Sequence, residues 1–255
     1  MFYTYTQSGT RKAIDLDGLY EGQSLFLLGG SPTLAEMDLS VLRRRGVVTM
    51  GMNNVPCVFT PHLWVCLDKP PCFSPHIYES PEIIKFTMIS RRFEAVPTLD
   101  RQVYQCPSMF FFGTKEGFDA KNFLDVDRDI CWWRSVFPAA LQLAWRLGFR
   151  RVFLVGCGFH MPRQEGKQYA WKTTLSGDQV DYSQRTYSLD VDRLRLLKPT
   201  FELHGFQVVS CTSGSMAHGV IDYLPIEDAV SRVIGTKPPM ADTTTLLHSS
   251  ALRKQ

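Results

Sequence analysis

The stretch Ser24-Leu25-Phe26-Leu27-Leu28-Gly29-Gly30-Ser31-Pro32-Thr33-Leu34 decides how this chain is read. A short apolar run closed by two glycines is a buried strand reaching a tight turn, and the hydroxyl and proline residues that follow open a helix. The predicted helix spans Thr33 to Arg45, with Leu34, Met37, Val41 and Leu42 on one stripe and Gly46 as its stop.

The same alternation continues outward. Strands are expected at Val47–Met52, Leu63–Leu67, Ile83–Ile89, Met109–Phe112, Val152–Val155 and Val208–Val209. Helices are expected at Arg134–Phe149, Thr186–His204 and Pro225–Ile234. Residues 157–182 are polar and carry Gly166 and Gly177, which reads as a lid loop. Repeated strand–helix units imply an α/β fold, a Rossmann-like and mostly parallel sheet with helices on both faces. Residues 1–235 form one nucleotide-binding domain in this reading, and 236–255, rich in Thr, Ser and Pro, form a flexible tail.

Composition bounds the function. At 255 residues with 44% hydrophobic and 21% charged side chains, the chain can bury a full core without disulfide or metal staples. The opening MFYTYTQSGTRK lacks the apolar centre of a secretory signal, and no apolar run approaches a membrane span, so a cytoplasmic protein is expected. Net charge is +3 and the pI is near 8.4, below the strongly basic range of nucleic-acid binders. Arg43-Arg44-Arg45, Arg91-Arg92 and Arg150-Arg151 read as helix ends or solvated faces. The seven cysteines lack ligand or C-x-x-C spacing and read as reduced packing residues.

In open parallel sheets ligands bind beyond the carboxyl ends of the strands, so the residues just past each strand are the candidates. Gly29 and Gly30 allow close backbone approach to a phosphate, and Ser31 and Thr33 add hydroxyls; the same four residues also suit a plain turn and N-cap. The pattern is neither G-x-G-x-x-G nor a Walker loop, which disfavours classical NAD binding and P-loop ATPase activity. Asn53-Asn54 offers uncharged donors and acceptors to a base or ribose, and equally suits an Asx turn. Asp68 can act as a base, bind a ribose hydroxyl or cap the next element. His160 can serve as base or phosphate partner. Ser213 and Ser215, in the Thr212-Ser213-Gly214-Ser215 turn, repeat the small-hydroxyl chemistry. Tyr169, Trp171 and Trp132-Trp133 can stack on a base or sugar or simply pack. The D-x-D pairs Asp15/Asp17, Asp125/Asp127 and Asp190/Asp192 do not directly follow apolar strands and read as surface acids, with no metal site indicated.

Taken in order, LFLLGGSPTLAEMD, VTMGMNN, RSVFPAALQLAWRLGFRRVFLVGCGFH and VVSCTSGS resemble the bacterial sialyltransferases that use CMP-sialic acid, together with the related motility accessory factors and hydroxymethylpterin diphosphokinases. The resemblance covers roughly residues 22–235 and implies a GT-A-variant-like glycosyltransferase. It places Gly29, Gly30, Ser31 and Thr33 in the donor loop, Asn53 on the nucleotide, Ser135 at the phosphate-supporting helix, and His160 and Tyr169 on the leaving phosphate. It implies departure of the phosphate through hydrogen bonds with no required cofactor, the nucleotide-sugar being a co-substrate, and leaves a divalent metal open. No residue matches the sialyltransferases' catalytic His; Gln184 and Arg185 stand in that region, and Gly158 replaces an acidic residue. Asp68 or His160 is then the expected base, and Arg185 an expected partner of the leaving group. The implied acceptor is a glycan, a protein or a hydroxymethylated DNA base. A diphosphokinase or a non-catalytic nucleotide-binding module are the competing readings.

Overall fold

The computed structural model describes residues 1–235, so the expected tail lies outside the described residues. The strands are β1 (Phe2–Tyr5), β2 (Arg11–Ile14), β3 (Ser24–Leu28), β4 (Val48–Met52), β5 (Leu63–Cys66), β6 (Ile84–Met88), β7 (Met109–Phe112), β8 (Thr114–Glu116), β9 (Ile130–Trp132), β10 (Arg151–Val155) and β11 (Gln207–Ser210). The α-helices are α1 (Pro75–Glu79), α2 (Val136–Arg146), α3 (Gly177–His204) and α4 (Ile226–Gly235).

A nine-stranded sheet runs β11-β10-β3-β4-β5-β6-β7-β1-β2. Every neighbouring pair from β11 to β7 is parallel. The chain winds from β3 outward to β7, then returns to the other side of β3 for β10 and β11. The winding therefore reverses between β3 and β10, where an open parallel sheet leaves a crevice for a ligand. In register, Val155 pairs with Leu28 and Leu28 with Gly51, so the ends of β10, β3 and β4 are level.

Side chains alternate across the strands, and both faces are apolar because both are covered. Leu25, Leu27, Val152 and Leu154 face Ala140, Leu143 and Ala144 of α2 and Leu194 and Leu197 of α3. Phe26, Leu28, Phe153 and Val155 face Leu42, Val55 and Ala229 and Val230 of α4. Phe26 and Phe153 stack at 4.9 Å. Further along that second face, Trp64 and Phe111 pack on Ile77 and Tyr78 of α1. Lys85 is a cation inside β6; its ammonium donates to the carbonyls of Ser80, Ile83 and Pro107 at 2.6–2.9 Å, while burial lowers its pKa to about 8. No helix among the described residues is long and apolar enough to cross a membrane.

Several elements differ from expectation. The helix expected over Thr33–Arg45 is two 3-10 stretches, Pro32–Glu36 and Leu39–Arg43. Met37 turns extended (φ −86°, ψ 144°), and Asp38 accepts from the Ser40 amide at 2.9 Å, starting a new turn instead of continuing the old one. The expected lid is shorter, because α3 starts at Gly177: Ser176 accepts from the Gln179 amide at 3.3 Å and Gln179 accepts from the Ser176 amide at 2.9 Å, a reciprocal cap. The antiparallel hairpin β1–β2 is an addition to the expected strands, with Phe2 fully buried against the sheet. All seven cysteines are free; Cys57 and Cys72 are exposed, and the other five are buried as expected.

Candidate functional site

The carboxyl ends of β3, β4, β5 and β10 open into one cavity of about 510 Å³. Gly29, Gly30, Ser31, Asn53, Asn54, Asp68, Ser135, His160 and Tyr169 all line it. Residues from distant segments therefore converge at the place where the sheet's winding reverses.

The glycine turn is built differently from the phosphate cradle expected of it. The Gly29 amide donates to the Val155 carbonyl at 2.8 Å, and the Ser31 amide donates to the Gly156 carbonyl at 2.9 Å. Two of its amides thus join the end of β3 to the end of β10 instead of facing the cavity. Glycine is needed at 29 because a Cβ there would lie 2.7 Å from both the Cys157 sulfur and the Gly156 oxygen. What the turn offers a ligand is the Ser31 hydroxyl: it accepts from Thr33 Oγ1 at 3.1 Å, which leaves its own hydrogen to donate. Thr33 itself does not line the cavity.

At the next strand end, Asn53 adopts φ +51°. Its backbone is held at both ends, the amide donating to Val65 O at 3.2 Å and the carbonyl accepting from Trp64 Nε1 at 2.6 Å. Its side-chain Oδ1 is buried and lacks a protein partner. A native protein leaves few such acceptors unsatisfied, so this oxygen is suited to a ligand's N–H or O–H. Asn54 is committed to structure, its Nδ2 donating to Cys72 O at 3.0 Å.

Asp68 stands at the mouth; the loss of surrounding water raises its carboxyl pKa, and Arg91 opposes that rise. Arg91 lies in the cavity wall, not on a solvated face as its cluster suggested. Its Nε donates to Leu67 O at 3.1 Å and its Nη1 pairs with Glu94 at 2.8 Å. His160 is exposed at the start of the loop after β10.

The roof comes from loop 157–176 and the first turns of α3. Tyr169 and Trp171 stack with centroids 4.9 Å apart and planes 3° from parallel, and Ala170 between them donates to Gly30 O at 3.1 Å. Tyr182, Ser183, Thr186 and Tyr187 of α3 continue the wall. Tyr187 has its pKa raised by burial and by Tyr169 beside it, so its phenol remains a donor.

Asp190 corrects its reading as a surface acid. It is 1% exposed and lines the cavity from α3. Its Oδ2 accepts from Ser135 Oγ at 2.6 Å and its Oδ1 accepts from Arg193 Nη1 at 2.8 Å. Desolvation pushes its carboxyl up to about 6, against the lowering effects of Ser135 and Arg193. Ser135 also N-caps α2, accepting from the Phe137 amide at 3.1 Å. Beside it Arg134, at φ +61°, is exposed and borders the cavity, its guanidinium 5.8 Å from the centre of the Trp133 ring.

Besides Thr33, three expected residues lie elsewhere. Arg185 is exposed on α3 and does not line the cavity; Thr186 takes the inward position next to it. Ser213 is exposed and Ser215 is buried, both outside the lining. Their turn is a brace. Thr212 Oγ1 accepts from the Cys157 amide at 2.9 Å and Ser215 Oγ donates to the Cys157 carbonyl at 2.9 Å, fixing the strand end that carries His160. Trp171, named from the sequence as a stacking aromatic, lines the cavity, whereas Arg134 was missed there. Asp190 was hidden because burial is not written in D-x-D spacing.

No family model and no curated protein matches the chain. Solved structures with which it shares similarity include the MAf glycosyltransferase from Magnetospirillum magneticum AMB-1 (TM-score 0.48, 11% identity), covering 94% of this chain and 40% of that one. Another is the sialyltransferase CstII from Campylobacter jejuni in complex with cytidine-5'-monophosphate (TM-score 0.47, 14% identity), covering 81% of this chain and 87% of that one. The chain thus spans 40% of the length of the first.

Proposed function

We propose that the protein is a glycosyltransferase that moves a sugar from a nucleotide-sugar to a hydroxyl acceptor. The observation that carries this reading is the convergence of Ser31, Asn53, Ser135, His160 and Tyr169 on one cavity at the reversal between β3 and β10. Asn53 Oδ1 accepts from the nucleoside. The hydroxyls of Ser31 and Tyr169, with His160 and the Arg134 guanidinium, meet the charge that develops on the departing phosphate. The bond from the anomeric carbon to the phosphate oxygen breaks, and a bond from that carbon to the acceptor oxygen forms. Asp68 takes the acceptor's proton, its raised pKa making it a better base than an ordinary surface carboxylate. Hydrogen bonds and arginines from this chain supply the stabilisation, and turnover without added metal is part of the proposal. The acceptor is a glycan, a protein or a hydroxymethylated nucleic-acid base.

Incubating the protein with a panel of nucleotide-sugars, with and without EDTA, and measuring released nucleotide tests this. Release from one donor in EDTA supports the proposal in full. Conversion of ATP to AMP on a hydroxymethylpterin with magnesium assigns the site to diphosphoryl transfer instead. Thermal stabilisation by nucleotides without turnover of any donor overturns the enzymatic reading.

A further inference from the structure

The Ser135–Asp190 contact carries a consequence for how the cavity handles charge. A serine hydroxyl has a single hydrogen to donate. With Asp190 ionised, both carboxylate oxygens can only accept, so the 2.6 Å contact takes the Ser135 hydrogen. The Phe137 amide already fills one acceptor position of the same oxygen. Ser135 then presents nothing but a lone pair to the cavity, beside a buried negative charge. An anionic ligand at this wall meets repulsion from both. With Asp190 protonated, the carboxyl donates to Ser135 Oγ, the Ser135 hydrogen can rotate into the cavity, and the charge is gone.

We propose that Asp190 is a positioning residue which, through the Ser135 hydroxyl, couples binding of the donor's phosphate to uptake of one proton. The inference rests on the nucleotide-sugar reading of the cavity. The groups around Asp190 permit the coupling. Arg193 on the same helix holds Oδ1 and also donates to Trp133 O at 3.0 Å, so its guanidinium keeps a partner in either state. Tyr187 from α3 and Cys157 from the end of β10 interact with Asp190, and burial keeps both protonated, the thiol being pushed up to about 12. The carboxyl itself is placed by the fold near the middle of the accessible range, so a ligand has a proton to recruit.

Asp190→Asn tests this without dismantling the contacts, because the amide oxygen can accept from Arg193 while its NH₂ donates to Ser135. It fixes the hydrogen-bond pattern of the protonated state. Affinities of UDP-glucose, GDP-mannose and CMP-sialic acid are measured by calorimetry at pH 6 and 8 for wild type, Asp190→Asn and His160→Gln. The phosphodiester groups of these donors do not titrate over that range. The donor is expected to bind about 3- to 10-fold more weakly at pH 8 than at pH 6 in wild type, with proton uptake seen as a buffer-dependent heat. In His160→Gln, whose overall affinity falls because His160 is placed on the phosphate, a weakening from pH 6 to 8 persists. In Asp190→Asn the affinity stays flat and at pH 8 exceeds that of wild type. A pH-independent wild type, an unchanged slope in Asp190→Asn, or a slope abolished by His160→Gln overturns the coupling while leaving donor binding intact. Failure of every donor to bind wild type at either pH overturns the functional reading and the coupling with it.

Discussion

The indole of Trp171 fills the space that a side chain on Gly30 would need. Gly30 is not in the left-handed region, so an alanine there is free of backbone strain and its whole cost is steric. The ring must move, and moving it breaks the parallel stack on Tyr169. Gly30→Ala is therefore expected to release the lid: tryptic cleavage at the exposed Lys167 and Lys172 rises and donor affinity falls. Adding Trp171→Ala removes the clash, so the double variant should lose less affinity than the two single losses sum to, a non-additivity that a double-mutant cycle reads directly. Strict additivity would place the indole elsewhere in solution.

Asn53 holds two roles that substitution can separate. Its φ of +51° is a backbone demand, and its Oδ1, buried and without a protein partner, is the proposed nucleoside acceptor. Asn53→Ala loses both, whereas Asn53→Gly loses only the amide. Nucleotide affinity should drop by about 10- to 100-fold in both, as expected for one buried hydrogen bond worth roughly 1.5–3 kcal/mol. The melting temperature should fall further in the alanine variant than in the glycine variant, because glycine takes positive φ without strain. Unchanged affinity in both variants would remove Asn53 from the site.

Much of this architecture was legible from residue order. Leu25–Leu28, Val152–Val155 and their glycine ends declared parallel strands, because runs apolar on every residue need cover on both faces. The cavity's position followed from those strand ends. Other features depended on competition between local and tertiary forces. Thr33–Arg45 carries a helical stripe, yet Pro32 and the Asp38 side chain reshape it into two short turns. The Ser176/Gln179 cap has the serine-x-x-glutamine spacing of a helix start, which the glycines on either side obscure. Gly29 shows the limit of motif reading: the two-glycine turn looks like a phosphate loop, while its amides serve β10. Asp190 and Arg91 needed the fold itself, since nothing in their neighbours' identities shows what α3 or the turn after β6 packs against.

The Thr212–Ser215 turn offers a control for the distinction between brace and binder. Ser215 Oγ donates to the Cys157 carbonyl at 2.9 Å and accepts from the Ala217 amide at 3.3 Å, all in the interior. Ser215→Ala leaves both groups without that partner and should cost about 1–3 kcal/mol of stability. For a chain of this size that is a fall in melting temperature of roughly 2–10 °C. Ser213→Ala, at an exposed position, should leave stability unchanged. Neither variant should alter donor affinity at a temperature where it is folded; a selective loss of affinity in Ser213→Ala would return that turn to the binding site.

Asp190 gives stability a pH dependence whose sign is fixed by its environment. Its folded-state carboxyl is raised to about 6, above the ordinary value of an unfolded chain. Between those two values the folded state binds more protons than the unfolded state, so this residue's contribution to stability falls as pH rises from about 4 to 6 and stays reduced above that. The penalty is greatest above about pH 7 and is gone only below about pH 3, where the unfolded carboxyl is protonated as well. Asp190→Asn retains acceptors and donors for Arg193 and Ser135 but carries no charge to desolvate. It should raise the unfolding free energy by about 1–3 kcal/mol at pH 7.5 and change it little at pH 4. Chemical denaturation of both proteins across that range measures the difference. A variant destabilised equally at both pH values would mean that the buried ion pair with Arg193 outweighs the cost of burying the carboxylate, and that the raised pKa does not hold in the folded protein.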